Sequence, residues 1–199
     1  MGSLSSYNIN NLIETYNAPV LFETGSGQGD GIQHATTCNF KRIISVEIVE
    51  DQAYQLADRF KNDKRVNMVF GRSYNALKEM LPTIDENIIF WLDAHFPAAD
   101  LIKDDNQRLQ AYMAESDDDV RLPLEKELRL IKELRQGKHD IILMDELHIY
   151  KDSGDNIGDD AYWLKPRQRF SSSEFYAELF KDTHMFNYVG DTQGILLPK

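Results

Sequence analysis

The chain has 199 residues, of which 42% are hydrophobic, and a formal net charge of −11. This length suits a single domain of residues 1–199, while the negative charge disfavours nucleic acid as a partner and no apolar run is long enough to span a membrane. One cysteine cannot form an internal disulfide and the amino terminus lacks a secretory signal, so we expect a cytoplasmic protein.

A glycine-rich stretch near the amino terminus is the first informative feature. After a helix predicted at residues 7–17, an apolar run from Pro19 gives way to Glu23 and then to glycines at 25, 27, 29 and 31. A ligand can approach the backbone most closely where no Cβ intervenes, and glycine permits sharp turns. The pattern predicts a strand, a cofactor-binding turn and a helix over residues 32–37. The spacing departs from the G-x-G-x-x-G dinucleotide pattern.

The next elements continue an alternation of strands and helices. Residues 42–46 form an apolar run that ends at Glu47, about two dozen residues after the first glycines, where a carboxylate can bind ribose hydroxyls. Amphipathic spacing predicts a helix over 51–60, and a third strand follows over 66–70. Gly71, Arg72 and Ser73 then lead into another helix, which Pro82 ends.

Residues 87–93 form a continuous apolar run, which is typical of a central parallel strand covered on both faces. This run ends at Asp93, and His95 lies two residues further on. Residues 97–122 are rich in polar side chains and follow the carboxyl end of the strand, where ligands bind in open α/β sheets. They are either a lid over a ligand site or a solvated loop.

The carboxyl-terminal third completes an α/β pattern. It predicts a helix over residues 123–134, with apolar residues at helical spacing and several Glu–Lys or Glu–Arg pairs, and a strand over 140–145 that ends in Asp145. After a polar loop over 151–169, the pattern predicts a helix over 174–182. A terminal hairpin is expected from strands 185–189 and 194–197.

The segment Glu23-Thr24-Gly25-Ser26-Gly27-Gln28-Gly29 resembles motif I, E/D-x-G-x-G-x-G, of class I S-adenosyl-L-methionine (SAM) dependent methyltransferases. This resemblance covers most of residues 19–199. It implies a Rossmann-like α/β fold whose seven-stranded, mostly parallel sheet has the order 3-2-1-4-5-7-6, with helices on both faces. The run Trp91-Leu92-Asp93-Ala94-His95 is similar to that of a group of small bacterial and phage methyltransferase-like proteins.

The resemblance also implies a set of SAM-binding residues. Glu23 corresponds to the residue near the SAM amino group, and Asp93 to the one beside the sulfonium. Glu47 corresponds to the ribose ligand, although Arg72 stands where the family commonly has an acid near the adenine. The full set of residues implied to bind the cofactor is Glu23, Gly25, Ser26, Gly27, Gly29, Glu47, Arg72, Ser73 and Asp93.

Methyl transfer is an in-line displacement, so a hydroxyl acceptor needs a group that removes its proton. His95 is the leading base because it follows the strand-four acid, Asp93, and histidine titrates near neutral pH; His148 is the second. We expect a small-molecule hydroxyl acceptor, because the acidic chain disfavours nucleic acid. The alternatives are an oxidoreductase of the nicotinamide (NAD) type and a SAM-binding module without transfer activity.

Three acids predict a divalent metal site. Asp93 ends one strand, and Asp145 and Glu146 end the next, and the ends of neighbouring strands lie only about 5 Å apart. Hard oxygen ligands suit Mg²⁺ or another divalent metal, and such a metal lowers the pKa of a bound hydroxyl. The layout resembles metal-dependent O-methyltransferases but has Glu146 where Asn or Asp is usual. The alternative is that these acids bind SAM and cap helices without a metal.

Overall fold

The computed structural model describes residues 3–95, 97, 102, 104, 107, 110, 117–150 and 174–199. For residues 118, 119, 148 and 149 it describes the backbone alone. Much of the segment predicted as a lid, 97–122, and the whole of the predicted polar loop, 151–169, therefore lie outside the described residues.

The described elements follow the predicted alternation, and each predicted strand and helix is found with its ends within two residues of the prediction. The strands are β1 Val20–Thr24, β2 Arg42–Glu47, β3 Val66–Phe70, β4 Ile88–Leu92, β5 Ile141–Met144, β6 His184–Val189 and β7 Gln193–Pro198. The helices are α1 Ile9–Tyr16, α2 Asp30–Thr36, α3 Glu50–Phe60, α4 Ser73–Met80, α5 Asp118–Arg121, α6 Leu124–Leu134, α7 Leu147–Tyr150 and α8 Phe175–Phe180, with short 3₁₀ turns at Leu4–Ser6 and Leu81–Thr83. Over these residues, no helix combines the length and the apolar content needed to cross a membrane.

The seven strands form one sheet in the order β3-β2-β1-β4-β5-β7-β6, which confirms the predicted fold. Strands β1 to β5 are parallel, whereas β7 runs antiparallel to both β5 and β6. In the register, Thr24 lies opposite Leu92, and Leu92 lies opposite Met144. Because these strands end level with one another, the residues that follow them meet at a single edge of the sheet.

Helices cover both faces of the sheet, which explains why β1 and β4 are buried along their whole length. One face packs against α1, α2 and α3, and the other against α4, α6 and α8. Successive residues of the central strand alternate between the two cores, since Leu21 joins the first and Phe22 the second. A rigid sheet therefore supports the loops at its carboxyl edge.

A buried ion pair fixes α6 against the opposite edge of the sheet. Arg135, directly after α6, donates two hydrogen bonds of 2.8 Å to Asp140 and further hydrogen bonds to the carbonyls of Ile84 and Glu86. Asp140 in turn accepts a hydrogen bond of 2.8 Å from the amide of Ile88 at the start of β4. Because every charged group here has partners, the pair specifies how α6 lies on the sheet.

Candidate functional site

The main cleft, with a volume of about 370 Å³, lies at the carboxyl edge of the sheet between the ends of β1, β2, β3 and β4. This size falls within the roughly 300–1,000 Å³ of small-molecule sites. Almost all of the predicted cofactor-binding residues line it, together with the predicted base: Glu23, Gly25, Ser26, Gly27, Glu47, Arg72, Ser73, Asp93 and His95. Gly29 does not line the cleft. A Cβ at Gly29 would lie 2.5 Å from Leu56 Cδ2, so this glycine lets α2 and α3 pack closely.

The glycine turn brings β1 against the end of β4. Gly25 has φ +80°, and a Cβ there would lie 2.6 Å from the carbonyl oxygen of Asp93 and 2.8 Å from the backbone of Ala94. Gly27 also lies in the left-handed region, with φ 49°. A side chain at Gly25 would separate the two strand ends. Glycine therefore forms one wall of the cleft from backbone alone.

Glu23 lies almost fully buried at the end of β1, with 1% of its surface exposed. Its carboxyl accepts a hydrogen bond from the hydroxyl of Ser45 on β2. It also packs against Gly31, where a Cβ would lie 1.8 Å from Glu23 Oε1. Burial raises the pKa of Glu23 to about 8, with a smaller contribution from the nearby charges of Glu47 and Asp30.

Glu47, at the end of β2, is held by backbone amides. Its two carboxyl oxygens accept hydrogen bonds of 3.0 Å from the amide of Gly27 and 2.9 Å from the amide of Val49. Burial raises the pKa of Glu47, while these amides act in the opposite direction. Glu47 thus joins the glycine turn to the start of α3, and its carboxyl forms part of the cleft wall.

Ser73 begins α4 and lines the cleft together with Arg72. Arg72 is more than half exposed and pairs with Asp117, with 3.0 Å between Nη1 and Oδ2. Asp117 belongs to the segment that was predicted as a lid, and Val120 a little further on also lines the cleft. The described end of that segment therefore reaches the side of the cleft that Arg72 lines.

The amino-terminal segment closes one side of the cleft, which sequence reasoning missed. Ser3 and Leu4 line the cleft, and Leu4 is 1% exposed. Tyr7 packs edge-on against Trp91, with 6.1 Å between ring centroids. The apolar spacing around Leu12 and Ile13 signalled a helix on the sheet but carried no information about the turn before it.

His95 lies next to Asp93 at the end of β4. Its Nδ1 is 2.8 Å from the carbonyl oxygen of Asp93 and 3.5 Å from the carboxylate of the same residue. A carbonyl oxygen only accepts, so the neutral ring carries its proton on Nδ1 and its lone pair on Nε2. The backbone therefore holds this histidine in a tautomer that can take a proton through Nε2. The side chain of the second predicted base, His148, lies outside the described residues.

Several solved structures share this architecture. One is the S-adenosylhomocysteine (SAH) bound methyltransferase PaMTH1 of Podospora anserina, with 16% identity, a TM-score of 0.62, and coverage of 100% of this chain and 80% of that one. A second is an O-methyltransferase from Bacillus cereus in complex with SAH, with 17% identity, a TM-score of 0.57, and coverage of 100% of this chain and 82% of that one. A third is the O-methyltransferase TomG from Streptomyces achromogenes in complex with SAM, with 13% identity, a TM-score of 0.56, and coverage of 100% of this chain and 81% of that one. This chain has the Rossmann-like methyltransferase fold. No protein-family model matches the sequence, and no curated protein matches it.

The predicted metal site is not supported by the part of the chain that the structure describes. Asp93, Asp145 and Glu146 line one narrow cavity, yet the described residues contain no group of three or more acids, histidines or cysteines that could hold a metal ion. The prediction was that the carboxylates of these three acids converge on one point, because the ends of neighbouring strands lie close together. Instead the chain turns at Glu146, with φ 52°, and Asp145 is 3% exposed.

Glu127 on α6 is the main site-proximal residue that sequence reasoning misplaced. It lines the same narrow cavity and is 1% exposed, whereas the sequence suggested a surface Glu–Lys or Glu–Arg pair. Its Oε2 accepts a hydrogen bond of 3.3 Å from Thr24, and Oε1 has no hydrogen-bond partner among the described residues. Burial raises the pKa of Glu127 to about 7, although the neighbouring hydroxyls of Ser73 and Thr24 act to lower it. Its spacing from Leu124 and Ile131 was the available signal for burial.

Acidic groups dominate the charge of the main cleft. Among its described lining residues, the acids are Glu23, Asp30, Glu47 and Asp93, and the cations are Arg72 and Lys126. The two most buried acids, Glu23 and Glu47, lie directly beside the glycine turn. A ligand with positive charge near this turn is favoured, and a strongly anionic ligand is disfavoured.

Proposed function

We propose that this protein is a SAM-dependent methyltransferase that acts on a small-molecule acceptor, with a hydroxyl as the methylated group. The observation that carries the proposal is the acidic cleft at the glycine turn. SAM carries a sulfonium and an ammonium group, and four acidic residues around a cleft of this size, one of which ionises as the cation binds, complement such a ligand. The fold, which is also that of SAM- and SAH-bound methyltransferases, supports the proposal. Membership of the bacterial and phage group stays a prediction.

The residues of the cleft suit SAM in kind and position. We assign Glu23 to the amino group, Glu47 to the ribose hydroxyls, and Arg72 with Ser73 to the adenine side, since all four residues line the cleft. The wall that Gly25 forms is backbone alone, so a ligand can approach it closely. When bound, SAM supplies an electrophilic methyl group on a positively charged sulfur.

The chain's own task in the reaction is to align the acceptor and to take its proton. His95 lines the cleft beside Asp93 and has its lone pair on Nε2. We assign it as the base that accepts the hydroxyl proton. Asp93 holds the ring in this tautomer through its carbonyl oxygen, and its carboxylate stabilises the imidazolium that forms. A net charge of −11 supports a small-molecule acceptor over nucleic acid.

The cleft disfavours the nicotinamide alternative. Dinucleotide sites place a pyrophosphate at a helix amino terminus after a glycine turn. Here the corresponding helix, α2, has Asp30 in its first turn, and Glu23 lies buried nearby. The carboxylate of Asp30 at this position repels a phosphate, and the buried Glu23 offers a phosphate no compensating positive charge. A SAM-binding module without transfer activity differs from the proposal only in failing to form methylated product.

Calorimetry with SAM, SAH and NAD tests the proposal. We expect SAM and SAH to bind with micromolar affinity, roughly −8 kcal/mol, and NAD not to bind. Tight NAD binding without a response to SAM or SAH would overturn the cofactor assignment.

A screen of hydroxylated metabolites with methyl-labelled SAM then tests the acceptor class, with RNA and DNA as controls. Label transferred to nucleic acid instead would refute the small-molecule acceptor.

A further inference from the structure

We propose that Ser45 is a positioning residue of the cofactor cleft, because its hydroxyl joins Glu23 and Ser26 into one chain whose direction depends on whether Glu23 carries a proton. The proposal rests on the proposed function and adds to it a coupling between cofactor binding and proton release. Ser45 lies on β2, nineteen residues after Ser26 in the sequence, and no sequence motif identifies it.

The geometry brings three side chains into contact. Ser45 lies directly opposite Glu23 in the pairing of β2 with β1. Its hydroxyl donates to Glu23 Oε2, and 2.6 Å separates its oxygen from that of Ser26. All three residues are at most 5% exposed. Of the three, Ser45 alone does not line the cleft, so it acts through the two residues that do.

The direction of the hydrogen bonds in this chain of three side chains follows from the single proton that each hydroxyl can donate. When Glu23 is ionised it can only accept, so Ser45 donates to Glu23 and Ser26 donates to Ser45. When Glu23 is protonated it can donate to Ser45, and Ser45 then donates to Ser26. The hydroxyl proton of Ser26 is then available to a ligand. The cleft therefore presents an acceptor at Ser26 in the first state and a donor in the second.

The surroundings of Glu23 favour the protonated state in the absence of a ligand. Burial is the main reason that its pKa rises to about 8; Glu47 from β2 and Asp30 from α2 add to the rise, and the hydrogen bond from Ser45 opposes it. The neighbouring residue on β4 is Trp91, which has no charge. A cationic ligand beside Glu23 favours the carboxylate. The binding of such a ligand near neutral pH therefore releases a proton from Glu23 and reverses the direction of the hydrogen bonds among Glu23, Ser45 and Ser26.

The experiment measures SAM affinity by calorimetry from pH 6 to pH 9, in two buffers that differ in ionisation enthalpy. For the unaltered protein we expect the affinity to rise by about tenfold or more between pH 6 and pH 8, with a buffer-dependent heat that reports proton release. In Ser45→Ala the affinity at pH 7 falls by about fivefold or more, and the rise moves to higher pH. The reason is that the variant lacks the hydrogen bond that stabilises the carboxylate. Glu23→Gln removes the pH dependence.

Two further variants separate this role from simple packing. Thr37→Ala removes a hydroxyl hydrogen bond of 2.7 Å on an exposed turn, and it should leave the pH profile unchanged. Ser26 lies in the glycine turn, and Ser26→Ala removes the hydroxyl at the end of the hydrogen-bond chain that faces the cleft. It gives a smaller shift in the same direction, and it serves as the test if Ser45→Ala does not fold.

The possible outcomes are distinct. If the unaltered protein binds SAM and Ser45→Ala keeps its affinity and pH profile, the positioning role is wrong. A uniform loss of affinity without a shift in the profile also overturns it, because packing alone then accounts for the loss. If SAM does not bind the unaltered protein at any pH, the proposed function itself fails.

Discussion

The half of the cleft edge that we propose binds the cofactor (the cofactor half) and the half that we propose faces the acceptor (the acceptor half) are built in different ways. The cofactor half joins groups at the ends of adjacent strands, as in the hydrogen bond of 3.0 Å between Gly27 and Glu47. The acceptor half depends on a distant helix, since Glu127 of α6 reaches the cavity beside Asp93 and Asp145. A short motif can encode the first arrangement. The second depends on how a helix packs on the sheet, which a motif does not specify.

The strongest test of this contrast is Gly31→Ala. The new Cβ would lie 1.8 Å from Glu23 Oε1 and 3.0 Å from its Cδ, so the buried carboxyl must move. We expect a loss of about 1–3 kcal/mol in the free energy of unfolding from overpacking, and at least a hundredfold loss of SAM affinity, measured by denaturant unfolding and calorimetry.

Gly137→Ala is the matched control for that variant. It lies between α6 and β5 at the opposite edge, has φ +78°, and has no atoms within 4 Å of an added Cβ. It should cost about 1–2 kcal/mol through backbone strain and leave SAM affinity unchanged. Equal affinity losses in both variants would mean that the cofactor half is sensitive to global stability rather than to the local contact.

A smaller effect is expected from Glu47→Ala. The carboxyl of Glu47 accepts hydrogen bonds from two backbone amides, and the variant leaves these amides without that acceptor. In the proposed complex it also leaves the two ribose hydroxyls without an acceptor. SAM affinity should fall by about 1.5–3 kcal/mol, with a stability loss of about 1 kcal/mol. Asp51→Ala, in the exposed first turn of α3, controls for loss of negative charge near the cleft. Retained affinity in folded Glu47→Ala would remove Glu47 from the cofactor site.

The smallest effect concerns Glu127 and appears in stability rather than in binding. Its pKa is about 7 in the folded protein and near 4.5 when exposed. The contribution of Glu127 to stability is therefore greatest below the lower value, and it is lost as the pH rises through about 7. Glu127→Gln should exceed the unaltered protein by about 1–2 kcal/mol at pH 8, and the difference should vanish near pH 4.

Glu125→Gln on the same helix is the control for Glu127→Gln. Glu125 pairs at 2.6 Å with the half-exposed Arg129, so its replacement should lower stability slightly, by about 0.5 kcal/mol or less. If thermal unfolding shows no pH-dependent gain for Glu127→Gln, the buried carboxyl does not titrate in the folded protein as described.

The positions of the strands and helices could be predicted from the sequence because apolar runs, helical spacing and glycines are local signals, and the sheet order followed from the family resemblance carried by the glycine turn. The sequence was insufficient for Glu127, since charge pairing at helical spacing suggested an exposed face while the residue shares a face with Leu124 and Ile131. Gly29 was predicted to bind the cofactor, but the structure places it outside the lining of the cleft. Its contact with Leu56 depends on the packing of α2 against α3, which no single segment reveals.

The placement of Leu4 in the cleft wall has a practical consequence. A label attached to the side chain of Ser3 would lie beside the cleft. The last strand, β7, runs away from that edge, and the amide of Lys199 bonds to the carbonyl of Thr183 just before β6. A fluorescent label on the exposed side chain of Lys199 therefore lies at the edge of the sheet opposite the cleft, and it is the better position for binding measurements.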